Sequence, residues 1–174
     1  MYKLSPKNRS WVKAAHVASM GAWVGASFSM NILILASSPS SGEGLYATNS
    51  ALKLIDDFIL IPSAIISLLT GLLISWLTPW GFFKWRWITL KWILTIGVIL
   101  LGTFGLGPWV NGMTELSAAD RLTVLQNPTY DNYRQMLRFF SSPILLMLIT
   151  MVLVSVIKPW GRSKSEAARI KNSR

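Results

Sequence analysis

The sequence predicts an all-α fold, an integral membrane four-helix bundle with both termini on the cytoplasmic side. Only 14% of the 174 residues are charged and 52% are hydrophobic, whereas a soluble domain carries about 25% charged residues. The charged residues leave four long gaps, which are Lys13–Glu43, Asp57–Lys84, Lys91–Glu115 and Arg138–Lys158. Each gap matches or exceeds the about 20 apolar residues that a helix needs to cross a bilayer.

Backbone amides in hydrocarbon must find partners within their own segment, so the four gaps indicate helices rather than strands. The helices are expected at about residues 11–36, 57–77, 85–106 and 134–157, within one transmembrane domain over residues 1–162. A basic cytoplasmic tail over residues 163–174 is expected to follow this domain.

The ends of the helices are placed at residues that favour turns or break helices. Residues 37–42 contain only serine, proline and glycine and predict a loop after the first helix. Pro62 either kinks the second helix or marks its true start. The Gly-Pro pair at residues 107–108 is expected to stop the third helix, and Pro143 lies near the outer end of the fourth helix.

The charges predict the orientation of the bundle. The side that holds both termini carries the basic residues of segments 3–13, 84–91 and 158–174 with a single acid, Glu166, and so accounts for the net charge of +10. The other side is slightly acidic. The positive-inside rule then places both termini in the cytoplasm, and a multi-pass protein of the bacterial plasma (inner) membrane is expected.

Composition also limits the partners and the chemistry. The basic side is expected to contact anionic lipid headgroups, and no combined aromatic and basic surface suggests a nucleic acid. The chain has no cysteine, which excludes disulfides and thiolate metal sites. No nucleophile with a neighbouring general base is visible, so the catalytic residues are unknown.

His16 is the only histidine, and it lies within the first apolar span. Ionisable residues inside membranes are functional candidates by default, although an interfacial histidine near Trp11 that bonds a carbonyl or a headgroup is the alternative. A lone histidine cannot build a closed zinc site. It can serve as the axial ligand of haem b, whose sixth position is open or filled by methionine. Met20, one turn further on, faces the same way.

Several residues accompany His16 in the same layer of the predicted bundle. Thr70 and Gly71 reach this level from the second helix, and Lys91 reaches it from the third helix. Lys91 either pairs with a porphyrin propionate or extends to the headgroups. Gly21 and Gly25 provide a small face for a flat macrocycle, or for close contact with another helix in a homo-oligomer.

A second polar group is expected at the outer side. Asn31, Asp56, Asp57 and Arg138 either form a polar cluster there or make up an ordinary solvated rim. If they act together, they favour a transporter over a cofactor-binding protein.

Four short motifs carry a family resemblance: Lys13-x-x-His16 and Trp23-Val24-Gly25 in the first helix, Thr70-Gly71 late in the second, and Trp87-x-x-x-Lys91 at the start of the third. Together, over residues 10–112, they resemble a superfamily of small helical membrane proteins. It includes the copper-resistance D (CopD) family, the HemJ-type protoporphyrinogen oxidases and a family of uncharacterised four-helix integral membrane proteins. The last family is the most similar in length and helix count.

The resemblance implies a haem ligand. The HemJ-type enzymes bind haem, and their first-helix histidine matches His16. Their Trp-x-His-x-Lys segment reads Trp87-Ile88-Thr89-Leu90-Lys91 in this chain, so Thr89 replaces the second histidine. An oxidase activity is therefore left open.

The leading hypothesis is a membrane protein that binds a b-type haem or porphyrin through His16 and serves redox chemistry or haem handling. One alternative is a cofactor-free transporter or channel-like subunit for ions or small solutes. The other is an accessory subunit of a larger membrane complex.

Overall fold

Four long helical stretches make up most of the described chain. The computed structural model describes residues 4–161, so the basic tail expected at residues 163–174 lies outside the described residues. The four stretches are long and apolar enough to cross a membrane and run over Pro6–Ala36, Gly42–Leu77, Arg86–Gln126 and Pro128–Ile157. Residues 4–161 contain no strand. The prediction of an all-α chain with four such helices is confirmed.

The first and last stretches are continuous helices with capped starts. In α1 (Pro6–Ala36), the Ser5 side chain accepts a hydrogen bond from the amide of Asn8. In α6 (Pro128–Ile157), the Asn127 side chain accepts one from the amide of Thr129. A proline follows each cap, where its fixed φ suits the first turn and its missing amide hydrogen leaves no helical bond unmade.

The second and third stretches are each interrupted by one π-helical turn. The second consists of α2 (Gly42–Ile55), the turn Asp56–Leu60 and α3 (Ile61–Leu77). The third consists of α4 (Arg86–Leu101), the turn Gly102–Leu106 and α5 (Gly107–Asp120), and a 3-10 segment, Arg121–Gln126, extends it.

Each π turn comes directly before a proline. The amide of Ile61 bonds to the carbonyl of Asp56, and the amide of Gly107 bonds to the carbonyl of Gly102. These bonds span five residues instead of four. The next residue is proline in both helices, which lacks an amide hydrogen and whose ring clashes with the carbonyl one turn earlier. The wider turn relieves that clash, so the helix continues past the proline.

The structure corrects three predicted helix ends, and the π turns explain the first two. The Gly-Pro pair at residues 107–108 does not stop the third helix, which continues through α5. The second helix begins at Gly42 and not near residue 57, and the fourth begins at Pro128 and not near residue 134. For the second and third helices, the sequence prediction did not allow for a π turn that accommodates a proline inside a helix.

The helices pack closely in one half of the bundle and separate in the other. We call the end where α1 starts and α6 finishes the terminal end. At the opposite end α2 packs against α5, and α5 packs against α6. Toward the terminal end α1 packs against both α3 and α6, and α4 packs against α6, but α3 and α4 share few contacts. The two π turns lie where the second and third helices diverge.

Side chains of α6 hold the middle of the bundle together. Leu148 is fully buried and Met151 nearly so, in a cluster with Trp23, Ala64 and Val98. Many large apolar side chains lie instead on the outside, and among them Leu146 is 62% exposed. An apolar exterior of this kind is what a lipid-facing helix requires.

We expect Leu148→Ala to lower the free energy of unfolding by about 2–5 kcal/mol, because it leaves a cavity in the packed centre. Leu146→Ala, on the exposed face of the same helix, serves as the matched control and should change stability little. Thermal unfolding of both variants in detergent checks this. Equal losses for the two would contradict the assigned packing of α6.

Candidate functional site

A cavity of about 700 Å³ lies at the terminal end, where α3 and α4 diverge. Its walls come from α1, α3, α4 and α6. Its volume falls in the range of about 300–1,000 Å³ that is typical of small-molecule and cofactor sites. Five of the seven site residues named from the sequence line it, and these are His16, Met20, Gly21, Gly71 and Lys91.

His16 is held by α3 through one ring nitrogen. Its Nδ1 lies 3.1 Å from the carbonyl oxygen of Ser67 and 3.0 Å from Thr70 Oγ1. The carbonyl can only accept a hydrogen bond, and the Thr70 hydroxyl already donates to the carbonyl of Ile66 at 2.6 Å. We therefore assign the ring proton to Nδ1.

The second ring nitrogen of His16 is left with a lone pair in the neutral imidazole. Nε2 has no hydrogen-bond partner among residues 4–161, and the half-buried His16 side chain lines the cavity. A histidine that ligates a metal usually donates its other ring N–H to a carbonyl or carboxylate. The bond from Nδ1 to Ser67 has this form.

Gly71 allows the imidazole to pack directly on α3. A Cβ atom at this position would lie 3.4 Å from His16 Cε1, so a large side chain would displace the ring. The structure therefore brings His16, Thr70 and Gly71 together. Thr70 is not among the residues that line the cavity, and its role in the structure is to accept the bond from His16.

The two glycines of α1 lie in different surroundings. Gly21 lines the cavity, whereas Gly25 is exposed and lies outside it. A Cβ atom on either glycine would meet no other atom within 4 Å. In the described part of the chain, therefore, no other helix uses Gly21 or Gly25 for close packing.

Positive charge surrounds the cavity. Its charged lining residues are all basic, namely Arg9, Lys13, Lys91 and Lys158, and no carboxylate of the described chain lines it. Lys158 also lies 5.3 Å above the ring of Trp80, which packs edge-on against Trp87 at 5.6 Å. A ligand with both an apolar body and acidic groups would match these walls.

Sequence reasoning missed part of this site. Ser67 lies one turn before Thr70 on the same face of α3, and this spacing could have indicated that it lies near His16. Its contribution, however, is a backbone carbonyl, which the residue type does not reveal. Met151 was also missed, and it accepts a hydrogen bond from Thr95 at 3.2 Å in the cavity wall. Its position on α6 becomes relevant only once the helix order is known.

The four outer polar residues named from the sequence are not bonded to one another. Asn31 bonds to the carbonyls of Ser27 and Ser141, and Asp57 pairs with Lys53 at 2.9 Å. Asp56 is 7% exposed, and Arg138 lines a different cavity. Asn31 and Asp57 thus serve separate local contacts within residues 4–161.

Comparison with protein-family models, curated proteins and solved structures found no match to this chain. Within residues 4–161, no three histidine, cysteine, aspartate or glutamate side chains form a metal-binding group.

Because the chain has one histidine, its tautomer can be measured directly. We expect the nitrogen NMR spectrum of protein labelled with ¹⁵N-histidine to show a protonated Nδ1 and an unprotonated Nε2 at neutral pH. Gly71→Leu should shift both signals because the ring is displaced, whereas Gly25→Ala should leave them unchanged. A protonated Nε2 with a bare Nδ1 would show that the assigned hydrogen bonds are wrong.

Proposed function

We propose that this chain is a multi-pass protein of the bacterial plasma membrane that binds a b-type haem or porphyrin, with His16 Nε2 as the axial ligand. The observation that carries the proposal is that His16 lines a cavity of about 700 Å³ with Nδ1 tied to a backbone carbonyl and with Nε2 unpartnered among residues 4–161. A single histidine suffices for haem, since the porphyrin supplies the other four ligands in its plane.

The cavity walls fit the remaining parts of such a ligand. Gly71 lets the imidazole pack on α3, Gly21 leaves open space on the α1 wall, and Trp87 and Trp92 offer aromatic surface. The four basic side chains are suited to the two propionate groups, because charge-assisted hydrogen bonds to carboxylates are stronger than neutral ones. Arg9, Lys13, Lys91 and Lys158 would thus hold the propionates, and His16 would hold the iron.

Each residue has a defined part in this proposal. Ser67 and Thr70 fix the rotation of the imidazole, so that Nε2 rather than Nδ1 meets the iron. Met20 and Met151 supply soft thioether surface at the cavity wall. Bound haem would supply one-electron chemistry, while these residues orient it and exclude water.

The family resemblance supports haem binding but not the oxidase reaction. His16 matches the first-helix histidine of the HemJ-type enzymes. Thr89, which replaces their second histidine, lies 3.4 Å from the carbonyl of Trp85 and does not line the cavity. We therefore propose that the chain binds haem and is related to the CopD and HemJ superfamily, and we propose no protoporphyrinogen oxidase activity.

The orientation is part of the proposal. The four apolar helices give an even number of crossings, so both termini lie on one side. The basic residues of the terminal end, among them Arg9, Lys13 and Lys84, favour the cytoplasmic side by the positive-inside rule. The cavity with His16 would then face the cytoplasmic leaflet and its anionic headgroups.

We expect protein purified from haem-replete cells to show a Soret band that sharpens and shifts on reduction with dithionite. His16→Ala should abolish the band, because it removes the only histidine that can ligate iron. Gly25→Ala, outside the cavity on the same helix, should keep it. A colourless wild-type protein with adequate haem supply would favour the transporter or accessory-subunit alternatives.

Reporter fusions test the orientation separately. A green fluorescent protein at the carboxyl terminus should fluoresce, and alkaline phosphatase fused there should be inactive. Alkaline phosphatase fused after Ser40, in the loop between α1 and α2, should be active because that loop would face the periplasm. The reversed pattern would refute the proposed orientation without affecting the haem test.

A further inference from the structure

A second cavity, of about 390 Å³, lies at the opposite end of the bundle and shares no residue with the cavity of His16. It is bounded by the loop at residues 37–40, by α2 and by the first turns of α6. Its floor is apolar and includes Leu33, Leu52 and Leu137. Its rim is polar, with serine hydroxyls of the loop on one side and arginines on the other.

The polar wall is one face of α6. Tyr130, Arg134 and Arg138 follow one another at intervals of four residues, which places them in a row along the helix. All three line the cavity. Arg134 is half-buried and Arg138 is exposed. The two arginine side chains therefore line the cavity between the surface and its apolar floor.

The two arginines lack counter-charges. Of the four basic residues at this end, Lys53 pairs with Asp57 at 2.9 Å and Arg121 pairs with Glu43 at 3.1 Å. Arg134 and Arg138 form no ion pair with any carboxylate in the described chain. No acidic residue of residues 4–161 lines the cavity. Two positive charges thus remain uncompensated in one recess.

Tyr130 adds a hydrogen-bond donor to the same wall. Its side chain is 1% exposed, and its hydroxyl oxygen accepts a bond from Asn49 at 3.1 Å. Asn49 is itself fixed by Ser117 at 3.0 Å. The phenolic proton has no acceptor among the described residues, and because Tyr130 lines the cavity we take this hydroxyl as a donor of the proposed site.

We propose that this cavity binds an anionic amphiphile, whose phosphate or carboxylate head is held by Arg134 and Arg138 and whose hydrocarbon part lies on the apolar floor. The planar fork of arginine matches the oxygen pairs of both head groups. A free inorganic ion would leave the floor unused. The amphiphile can come from the bilayer, as a phospholipid, or from outside it, as a free acid.

The test uses a fluorescent alkyl phosphate and the full-length protein in phosphatidylcholine nanodiscs. We expect saturable binding, with affinity reduced about ten-fold or more in Arg134→Gln and in Arg138→Gln, since each removes a charge-assisted hydrogen bond. Arg134→Lys should recover part of the affinity, because it keeps the charge but not the fork. Arg86→Gln, an exposed charge removal on α4, is the matched control and should bind like the wild type.

Two further arms complete the test. Ser40→Asp, in the exposed loop, should also weaken binding because it adds a negative charge to the rim of the cavity, which repels an anionic head group, without touching the core. Competition by phosphatidylglycerol in the nanodisc would identify a bilayer lipid as the source. Lack of that competition, with the arginine dependence intact, would identify a free amphiphile. Wild-type protein without saturable binding, or equal affinity in all variants, would overturn the proposal.

Discussion

The architecture depends on how two helices continue past a proline. Pro62 and Pro108 each remove an amide hydrogen that a regular helix needs, and in both cases a π turn immediately before the proline lets the helix proceed. The turns lie where the second and third helices change from close packing to separation. The cavity of His16 occupies the space that this separation creates, between α3 and α4 on the terminal side of both π turns.

The two cavities, at opposite ends of the bundle, have similar linings. Each combines apolar walls with basic side chains and lacks a carboxylate in the described residues. They differ in what would fix the ligand. In one, a neutral imidazole nitrogen is oriented by a carbonyl of the neighbouring helix, which suits a metal centre. In the other, two guanidinium groups are the only charged groups among the described lining residues, which suits an acidic head group.

The sequence predicted the number of helices well, because lipid excludes charge and the four uncharged gaps record that exclusion directly. It predicted helix ends poorly at Pro62 and Pro108, since the accommodation of a proline depends on a backbone hydrogen bond that no side-chain pattern reports. His16, Thr70 and Gly71 were grouped correctly from their depth alone. The carbonyl of Ser67 and the distance of Gly25 from the cavity depend on how α1 rotates against α3, which depth cannot give.

The π turns also set the rotation of one half of each interrupted helix relative to the other half about the helix axis. A turn that closes over five residues holds one residue more than an α-turn, and one residue corresponds to a rotation of about 100° around the axis. The faces of α3 and α4 are therefore offset by that angle from the faces of α2 and α5. Loss of a single residue within Asp56–Leu60 or Gly102–Leu106 would turn Ser67 or Lys91 away from the cavity. The cavity therefore depends more on the number of residues in these two segments than on which residues they are.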